Sequence, residues 1–92
     1  MKILQTKIFE KTVKKLHENA KKDLDSAIEK LVENPLCGEM KRGDLVGIRV
    51  YKFKMVNQLT LLAYRFDSDT IVLTLLMLGS HENFYRDLKK NN

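Results

Sequence analysis

Apolar side chains in the first third of the chain recur at helical spacing and form two stripes. The first stripe repeats at intervals of four, three and four residues, which places its members on one helix face: Phe9, Val13, Leu16 and Ala20. Thr6 offers a side-chain oxygen to cap this helix, and residues 1–5 precede it as a short strand.

A second helix is predicted after a polar break at residues 19–22. Asp23 and Asp25 lie at its start, where negative charge is favourable. Its apolar stripe consists of Leu24, Ala27, Ile28, Leu31 and Val32. Asn34-Pro35 ends it, because the residue before a proline disfavours the helical conformation. The pattern predicts an antiparallel helical hairpin.

The hydrophobic pattern changes to a period of two in the second half of the chain. Residues 36–47 show no period and contain three glycines, so they are expected to form a basic connector. In the run Tyr51-Lys52-Phe53-Lys54-Met55, apolar side chains alternate with lysines, which predicts a half-buried strand with both lysines pointing outward. Two more strands are predicted at residues 59–66 and 71–78, after turns at Asn57-Gln58 and residues 67–69. The last strand is apolar on both faces, as expected of a central strand.

The end of the chain predicts a short helix. Gly79 and Ser80 interrupt the last strand, and Ser80 can cap a helix in which Phe84 and Leu88 share one face. The predicted fold is α+β, with an N-terminal strand and a helical hairpin packed on an antiparallel β-sheet, a short C-terminal helix, and the helices on one side of the sheet. A chain of 92 residues with this pattern is expected to form a single domain over residues 1–92.

Basic side chains exceed acidic ones, and the excess lies in the middle of the chain. The net charge is +5, and residues 39–65 hold two acidic side chains against six basic ones: Lys41, Arg42, Arg49, Lys52, Lys54 and Arg65. Such a segment attracts polyanions, of which RNA and DNA are the commonest in a cell. An ordinary solvated surface explains the charge equally well when the charge is taken alone.

The composition argues against several kinds of function. One cysteine, Cys37, and two distant histidines cannot form a zinc site, and no glycine motif for nucleotide binding is present. We therefore expect neither a metal nor a cofactor. The sequence contains no apolar run long enough for a membrane span or a signal peptide, and a single cysteine allows no internal disulfide. The protein is expected to be cytoplasmic.

A set of four side chains has the chemistry to cleave RNA without a cofactor: Lys52, Lys54, His81 and Tyr85. The 2′-hydroxyl of RNA is an internal nucleophile, so a protein needs to remove its proton, stabilise charge at phosphorus and protonate the leaving 5′ oxygen. Neighbouring lysines repel each other, which favours loss of a proton by one of them, and imidazole is an effective acid near neutral pH. Tyr85 follows His81 by four residues, shares its helix face and can stack on a base. Structural alternatives stay open: lysines that keep an exposed strand soluble, a histidine that bonds the backbone, and a tyrosine that packs.

The stretch from Gly43 to Lys90 resembles the second half of toxins of the RelE/ParE superfamily, the toxic members of bacterial type II toxin–antitoxin pairs. Residues 43–54, 61–64 and 78–89 carry the resemblance, and the run Gly-Ser-His-Glu-Asn-Phe-Tyr is its most diagnostic part. The order of elements predicted above is the order that this family uses. The resemblance implies a toxin that enters the ribosomal A site, cuts messenger RNA during translation and is held inactive by an antitoxin.

The resemblance also assigns residues to the site. The strand motif Tyr-Lys-x-Lys implies catalytic residues at Lys52 and Lys54, and the position after the last strand implies a functional His81. The aromatic that stacks on the substrate base falls on Tyr85, with Phe84 as the second choice. Further basic residues are expected to bind RNA around them: Lys41, Arg42, Arg49 and Arg65.

One position departs from the pattern of RelE-like nucleases. These nucleases carry an arginine in the middle strand, three positions before its tyrosine, to bind the scissile phosphate, and this chain has Leu61 there. Arg49 and Arg65 are the candidate substitutes. ParE-like members inhibit DNA gyrase and need no nuclease residues, so gyrase inhibition is the alternative function, and a non-catalytic RNA- or partner-binding module is a third. The expected partners are a cognate antitoxin, forming a hetero-oligomer, and the ribosome with its messenger RNA.

Overall fold

The computed structural model describes residues 1–91 as a five-stranded sheet with helices on both faces. The strands are β1 (Lys2–Gln5), β2 (Glu39–Met40), β3 (Arg49–Met55), β4 (Gln58–Asp67) and β5 (Val72–Gly79). The helices are α1 (Lys7–Lys14), α2 (Glu18–Glu33) and α3 (Phe84–Lys90), and Gly43–Leu45 form one 3₁₀ turn. The strand order is β1-β5-β4-β3-β2, with β1 parallel to β5 and the other neighbours antiparallel. No helix in this part of the chain is both long and apolar enough to cross a membrane.

The predicted α+β fold is confirmed, with the N-terminal strand, the helical hairpin and the short C-terminal helix in the expected order. Residues 36–47, expected to be a connector, contain β2, which pairs with the first two residues of β3. Two residues are too few to show alternation, so no periodic pattern predicts this strand. Within residues 1–91, the rest of β3, residues 51–55, pairs on one side only, with β4.

The break between the first two helices lies earlier than predicted. α1 ends at Lys14, and α2 begins at Glu18 after His17, whose extended backbone occupies the N-cap position. Residues 19–22, predicted as the break, belong to α2, and Ala20 is buried as part of α2. Polar side chains on the exposed face of a helix look like a turn in a sequence, which explains the error.

The sheet separates two hydrophobic cores. α1 and α2 cover the helical-hairpin face, where eight buried side chains form one core: Phe9, Leu24, Leu31, Leu62, Tyr64, Leu73, Leu75 and Leu78. α3 covers the opposite face, called here the α3 face, with a second core: Leu45, Ile48, Val50, Leu61, Ala63, Met77, Phe84 and Leu88. The expectation that the helices lie on one side is therefore wrong for α3. Since β4 carries apolar side chains on both faces, both faces need to be covered.

A β-bulge in β5 changes which side chains of this strand face each core, since Leu73 and Leu75 lie in the core of the helical-hairpin face and Met77 lies in the core of the α3 face. The register shifts between Ala63 and Tyr64 of β4, which leaves Leu76 of β5 as an extra residue. The Thr6 hydroxyl donates to the Leu76 carbonyl at 2.7 Å and so ties the start of α1 to the bulge. The same oxygen accepts the Phe9 N–H at 3.1 Å, which confirms the predicted cap of α1.

The loop after α2 is fixed by a buried tyrosine. The hydroxyl of Tyr64, whose side chain is fully buried, donates to the Pro35 carbonyl and accepts the Gly38 N–H, both at 2.8 Å. A Cβ on Gly38 would lie 2.6 Å from the tyrosine oxygen, so glycine is required there. Arg49 adds two hydrogen bonds from its Nη1, to the carbonyls of Leu36 at 3.1 Å and Gly38 at 2.9 Å. These bonds fix where β2 starts beside β3.

The β3–β4 hairpin turns through Val56 and Asn57, one residue earlier than predicted. Both residues have positive φ angles, 50° and 65°, as in a type I′ turn. A β-branched residue rarely adopts this conformation, so the backbone at Val56 is strained. Asp23, predicted at a helix start, lies inside α2, and its carboxylate accepts the Val56 N–H at 2.8 Å. This bond ties the hairpin turn to α2.

We expect Tyr64→Phe to lower the free energy of unfolding by about 1–3 kcal/mol, because it leaves the buried Gly38 N–H without its acceptor. Urea unfolding followed by circular dichroism measures the change. Tyr51→Phe is the matched control, since the Tyr51 ring is only half-buried on the same face. Equal losses in the two variants would contradict this account.

The double substitution Val56→Asn with Asn57→Gly should raise the free energy of unfolding by about 1 kcal/mol, because Asn-Gly is the preferred pair for a type I′ turn. The bond to Asp23 uses a backbone N–H and is retained. The midpoint of urea unfolding reports the change. A lower midpoint would show that contacts of the valine side chain outweigh the backbone strain.

Candidate functional site

The two lysines predicted to point outward from β3 lie on the α3 face of the sheet. Lys52 and Lys54 are exposed, and they alternate with Tyr51, Phe53 and Met55, which pack against the core of the helical-hairpin face. Because successive side chains of a strand point to opposite faces, the lysines project from the other side.

A row of paired residues leads from Lys52 to the C-terminal segment. Lys52 pairs with Leu61, and Leu61 pairs with Gly79, where β5 ends. Adjacent strands lie about 4.8 Å apart, so the backbone at Gly79 is about 10 Å from that at Lys52. The next two residues are Ser80 and His81. The sheet register therefore brings His81 to the end of the sheet where Lys52 lies.

His81 and Tyr85 come together through a turn and not along a helix. α3 begins at Phe84 after Asn83, whose φ of 64° is left-handed, so His81 precedes the helix and the predicted cap at Ser80 is wrong. The His81 and Tyr85 rings meet edge to face, with their centroids 5.9 Å apart. Tyr85 packs against the core of the α3 face, so both rings lie on the same side of the sheet as the two lysines.

The other residues predicted to bind RNA are spread over the molecule. Phe84 is 3% exposed in the core of the α3 face. Arg49 lies on the helical-hairpin face, where its guanidinium is bonded to loop carbonyls. Arg65 pairs with Thr74, away from the end of the sheet where β5 stops, and Arg42 is exposed before the 3₁₀ turn. The structure therefore does not gather these four residues around the lysines of β3.

Lys41, also predicted to bind RNA, has two protein partners. Its Nζ lies 2.5 Å from Oε1 of Glu39 and 5.0 Å from the centroid of the Tyr85 ring. The hydrogen bond from Lys41 and the nearby charge of Lys52 lower the pKa of the Glu39 carboxyl. The bond to Glu39 and the Tyr85 hydroxyl raise the pKa of the Lys41 ammonium. The sequence does not point to Glu39, because this residue lies in a segment without periodicity. Only its pairing in β2 shows that it lies beside the lysines of β3.

The candidate site is an open surface. Lys52, Lys54 and His81 are all exposed, and together they border the α3 face. A polymer can lie across such a surface, whereas a small molecule is usually held in a concave pocket. Residues 1–91 contain no group of three His, Cys, Asp or Glu side chains that would hold a metal ion.

Comparisons with known proteins give one family match and several structural matches. A family model described as a ParE-like toxin of type II bacterial toxin–antitoxin systems matches residues 3–89. No curated protein sequence matches the chain. The toxin–antitoxin complex RelBE of E. coli has a TM-score of 0.70 at 18% identity, over 88% of this chain and 96% of that one.

Two further solved structures share the fold. A mutant of the E. coli toxin RelE in the free state has a TM-score of 0.71 at 16% identity, over 98% of this chain and 90% of that one. A YoeB/ParE toxin from Agrobacterium tumefaciens also has a TM-score of 0.71 at 16% identity, over 88% of this chain and 99% of that one. At these identities the likeness establishes the fold.

In Lys41→Met, the pKa of the Glu39 carboxyl should rise toward the ordinary glutamate value of about 4.3, because the main hydrogen bond to its charged form is removed. NMR titration of the side-chain carboxyl carbon measures this pKa. Lys11→Met, on the exposed side of α1, should leave it unchanged. Identical titration curves for all three proteins would mean that the ion pair does not form in solution.

Proposed function

The chain belongs to the ParE-like toxins of type II bacterial toxin–antitoxin systems, and we propose that it is an endoribonuclease that cuts messenger RNA on the ribosome. The observation that carries this proposal is that the four predicted catalytic side chains lie on one face of the sheet. Two exposed ammonium groups, at Lys52 and Lys54, lie on the same side as the paired rings of His81 and Tyr85. Metal-independent RNA cleavage requires a base for the 2′-hydroxyl, a cation at the phosphate and an acid for the leaving 5′ oxygen, and the two lysines and His81 can supply these groups.

In the proposed reaction, one of the two lysines acts as the free amine and removes the proton of the 2′-hydroxyl. The 2′ oxygen bonds to phosphorus while the bond from phosphorus to the 5′ oxygen breaks, and the second ammonium stabilises the negative charge of the phosphate. His81 gives its proton to the leaving 5′ oxygen, and Tyr85 stacks on the adjacent base. The products are a cyclic phosphate and a free 5′-hydroxyl, and the reaction needs no cofactor.

The proposed partners are a cognate antitoxin, the ribosome and messenger RNA. The net charge of +5 favours contact with RNA phosphates and with ribosomal RNA. The same charge favours an acidic antitoxin segment that covers the lysines and blocks access to them. The E. coli relative has been solved as a toxin–antitoxin complex, which supports a hetero-oligomer for this chain as well.

Inhibition of DNA gyrase is the second candidate function, and Leu61 is the residue that favours it. Leu61 is fully buried beside Lys52, at the position where RelE-like nucleases carry their phosphate-binding arginine. The arginines nearest in sequence do not replace it, since Arg49 is bonded on the opposite face and Arg65 lies further along β4. A gyrase inhibitor of the same fold would not need this guanidinium.

We expect induced expression to arrest growth and to leave translation-dependent breaks in messenger RNA, mapped by primer extension. The pair Lys52→Ala with Lys54→Ala, and separately His81→Ala, should reduce cleavage by about 10²–10⁴-fold, because each removes a group needed for proton transfer or charge stabilisation. The pair Lys11→Ala with Lys14→Ala, exposed on α1, is the matched control for the lost charge.

Three outcomes separate the candidate functions. Growth arrest without breaks, together with inhibited gyrase supercoiling, would favour the second candidate. Breaks that persist in both site variants would remove the assigned residues from the reaction. The absence of growth arrest, breaks and gyrase inhibition would favour a module that only binds RNA or a partner.

A further inference from the structure

The short edge strand β2 contacts both parts of the proposed site. Glu39 pairs with Val50, and two residues later the Lys41 N–H donates to the Ile48 carbonyl at 2.9 Å. Side chains two residues apart on a strand share a face, so Glu39 and Lys41 both lie on the α3 face. Glu39 is close enough to Lys52 for the two charges to interact.

The ammonium of Lys41 contacts two other side chains of the protein. It is bonded to the Glu39 carboxylate and lies over the Tyr85 ring, and its side chain is 19% exposed, compared with 67% for that of Glu39. Lys52 and Lys54, by contrast, are exposed on β3. The Glu39 carboxylate balances the charge of the Lys41 ammonium and would repel a phosphate beside it, so the contacts of Lys41 favour a different role from the one that the sequence suggested.

Three side chains contact the Tyr85 ring. His81 and Phe84 meet it edge to face, with centroid distances of 5.9 and 5.4 Å, and Lys41 places its charge 5.0 Å from the ring centroid. An ammonium over an aromatic ring is attracted by the negative face of the ring. Tyr85 lies in the first turn of α3, so all three contacts are made at the start of this short helix.

We propose that Lys41, held in place by Glu39, is a positioning residue that orients Tyr85 against His81. The Lys41 ammonium lies over the Tyr85 ring and limits its rotation. The ring thereby keeps a fixed angle to the His81 imidazole, the proposed proton donor. The consequence for RNA cleavage rests on the proposed function, whereas the orientation of the ring does not. Lys41 thereby acts on the substrate through Tyr85 and does not touch the phosphate itself.

The first experiment measures the ring orientation in the free toxin by NMR. The nuclear Overhauser effect between the ring protons of Tyr85 and His81 should weaken at least twofold in Lys41→Met and in Glu39→Gln. It should be retained in Lys41→Arg, which keeps the cation, and in the control Lys11→Met. An unchanged effect in Lys41→Met overturns the proposal, whether or not the protein cuts RNA.

The second experiment is a double-mutant cycle on RNA cleavage. Lys41→Met should lower kcat/KM about tenfold in the wild-type background and less than twofold in the background of Tyr85→Leu, because a residue that acts through Tyr85 has no effect once the ring is gone. Lys41→Arg should recover most of the rate. Equal losses in the two backgrounds would mean that Lys41 binds RNA directly, which overturns the proposal.

The two experiments distinguish a failure of the endoribonuclease proposal from a failure of the positioning role of Lys41. If the wild-type protein does not cut RNA, the endoribonuclease proposal fails, and the nuclear Overhauser effect alone decides the role of Lys41. If the protein cuts RNA and the effect is insensitive to Lys41→Met, the positioning role fails and the endoribonuclease proposal stands. Unfolding midpoints within error of the wild type show that each variant reports on the site and not on the fold.

Discussion

The placement of Glu39 and Lys41 beside the proposed site depends on the buried hydroxyl of Tyr64. This hydroxyl donates a hydrogen bond to the Pro35 carbonyl and accepts one from the Gly38 N–H, and both groups belong to the loop between α2 and β2. A buried backbone group without a partner is costly, so the loop is strongly biased toward this path. The path determines where β2 starts, and β2 in turn carries Lys41 to the ring of Tyr85. A hydrogen bond on one face of the sheet thus controls an aromatic contact on the other.

The division of the sheet into two faces explains how so short a chain combines a stable core with a charged surface. Residues 61–64 of β4 are fully buried, so the centre of the sheet is covered on both sides. On the α3 face this cover comes from a helix of seven residues, through Phe84 and Leu88. Such a helix is too short to cover the end of β3, and Lys52 and Lys54 remain in contact with solvent.

The parts of the fold that the sequence predicted are those with a local cause. Alternation in residues 51–55 is enough to assign Lys52 and Lys54 to one face, and the apolar stripes are enough to identify α1 and α2. The parts that it missed depend on contacts between distant residues. β2 exists because Tyr64 and Arg49 hold the preceding loop, and the meeting of His81 with Tyr85 depends on the left-handed backbone of Asn83. No periodic pattern reports such contacts, so the sequence assigns no role to Glu39 and predicts that Lys41 binds RNA.

β2 covers only the first two residues of β3, which leaves residues 51–55 without a neighbour on that side among the described strands. A free stretch of this length is a template on which a second molecule can add its own strand. If two copies joined there in antiparallel fashion with Phe53 opposite Phe53, Lys52 of each copy would face Lys54 of the other at about 5 Å. Repulsion between these ammonium groups opposes such self-association, so the two side chains proposed to meet RNA also protect the unbound protein against aggregation.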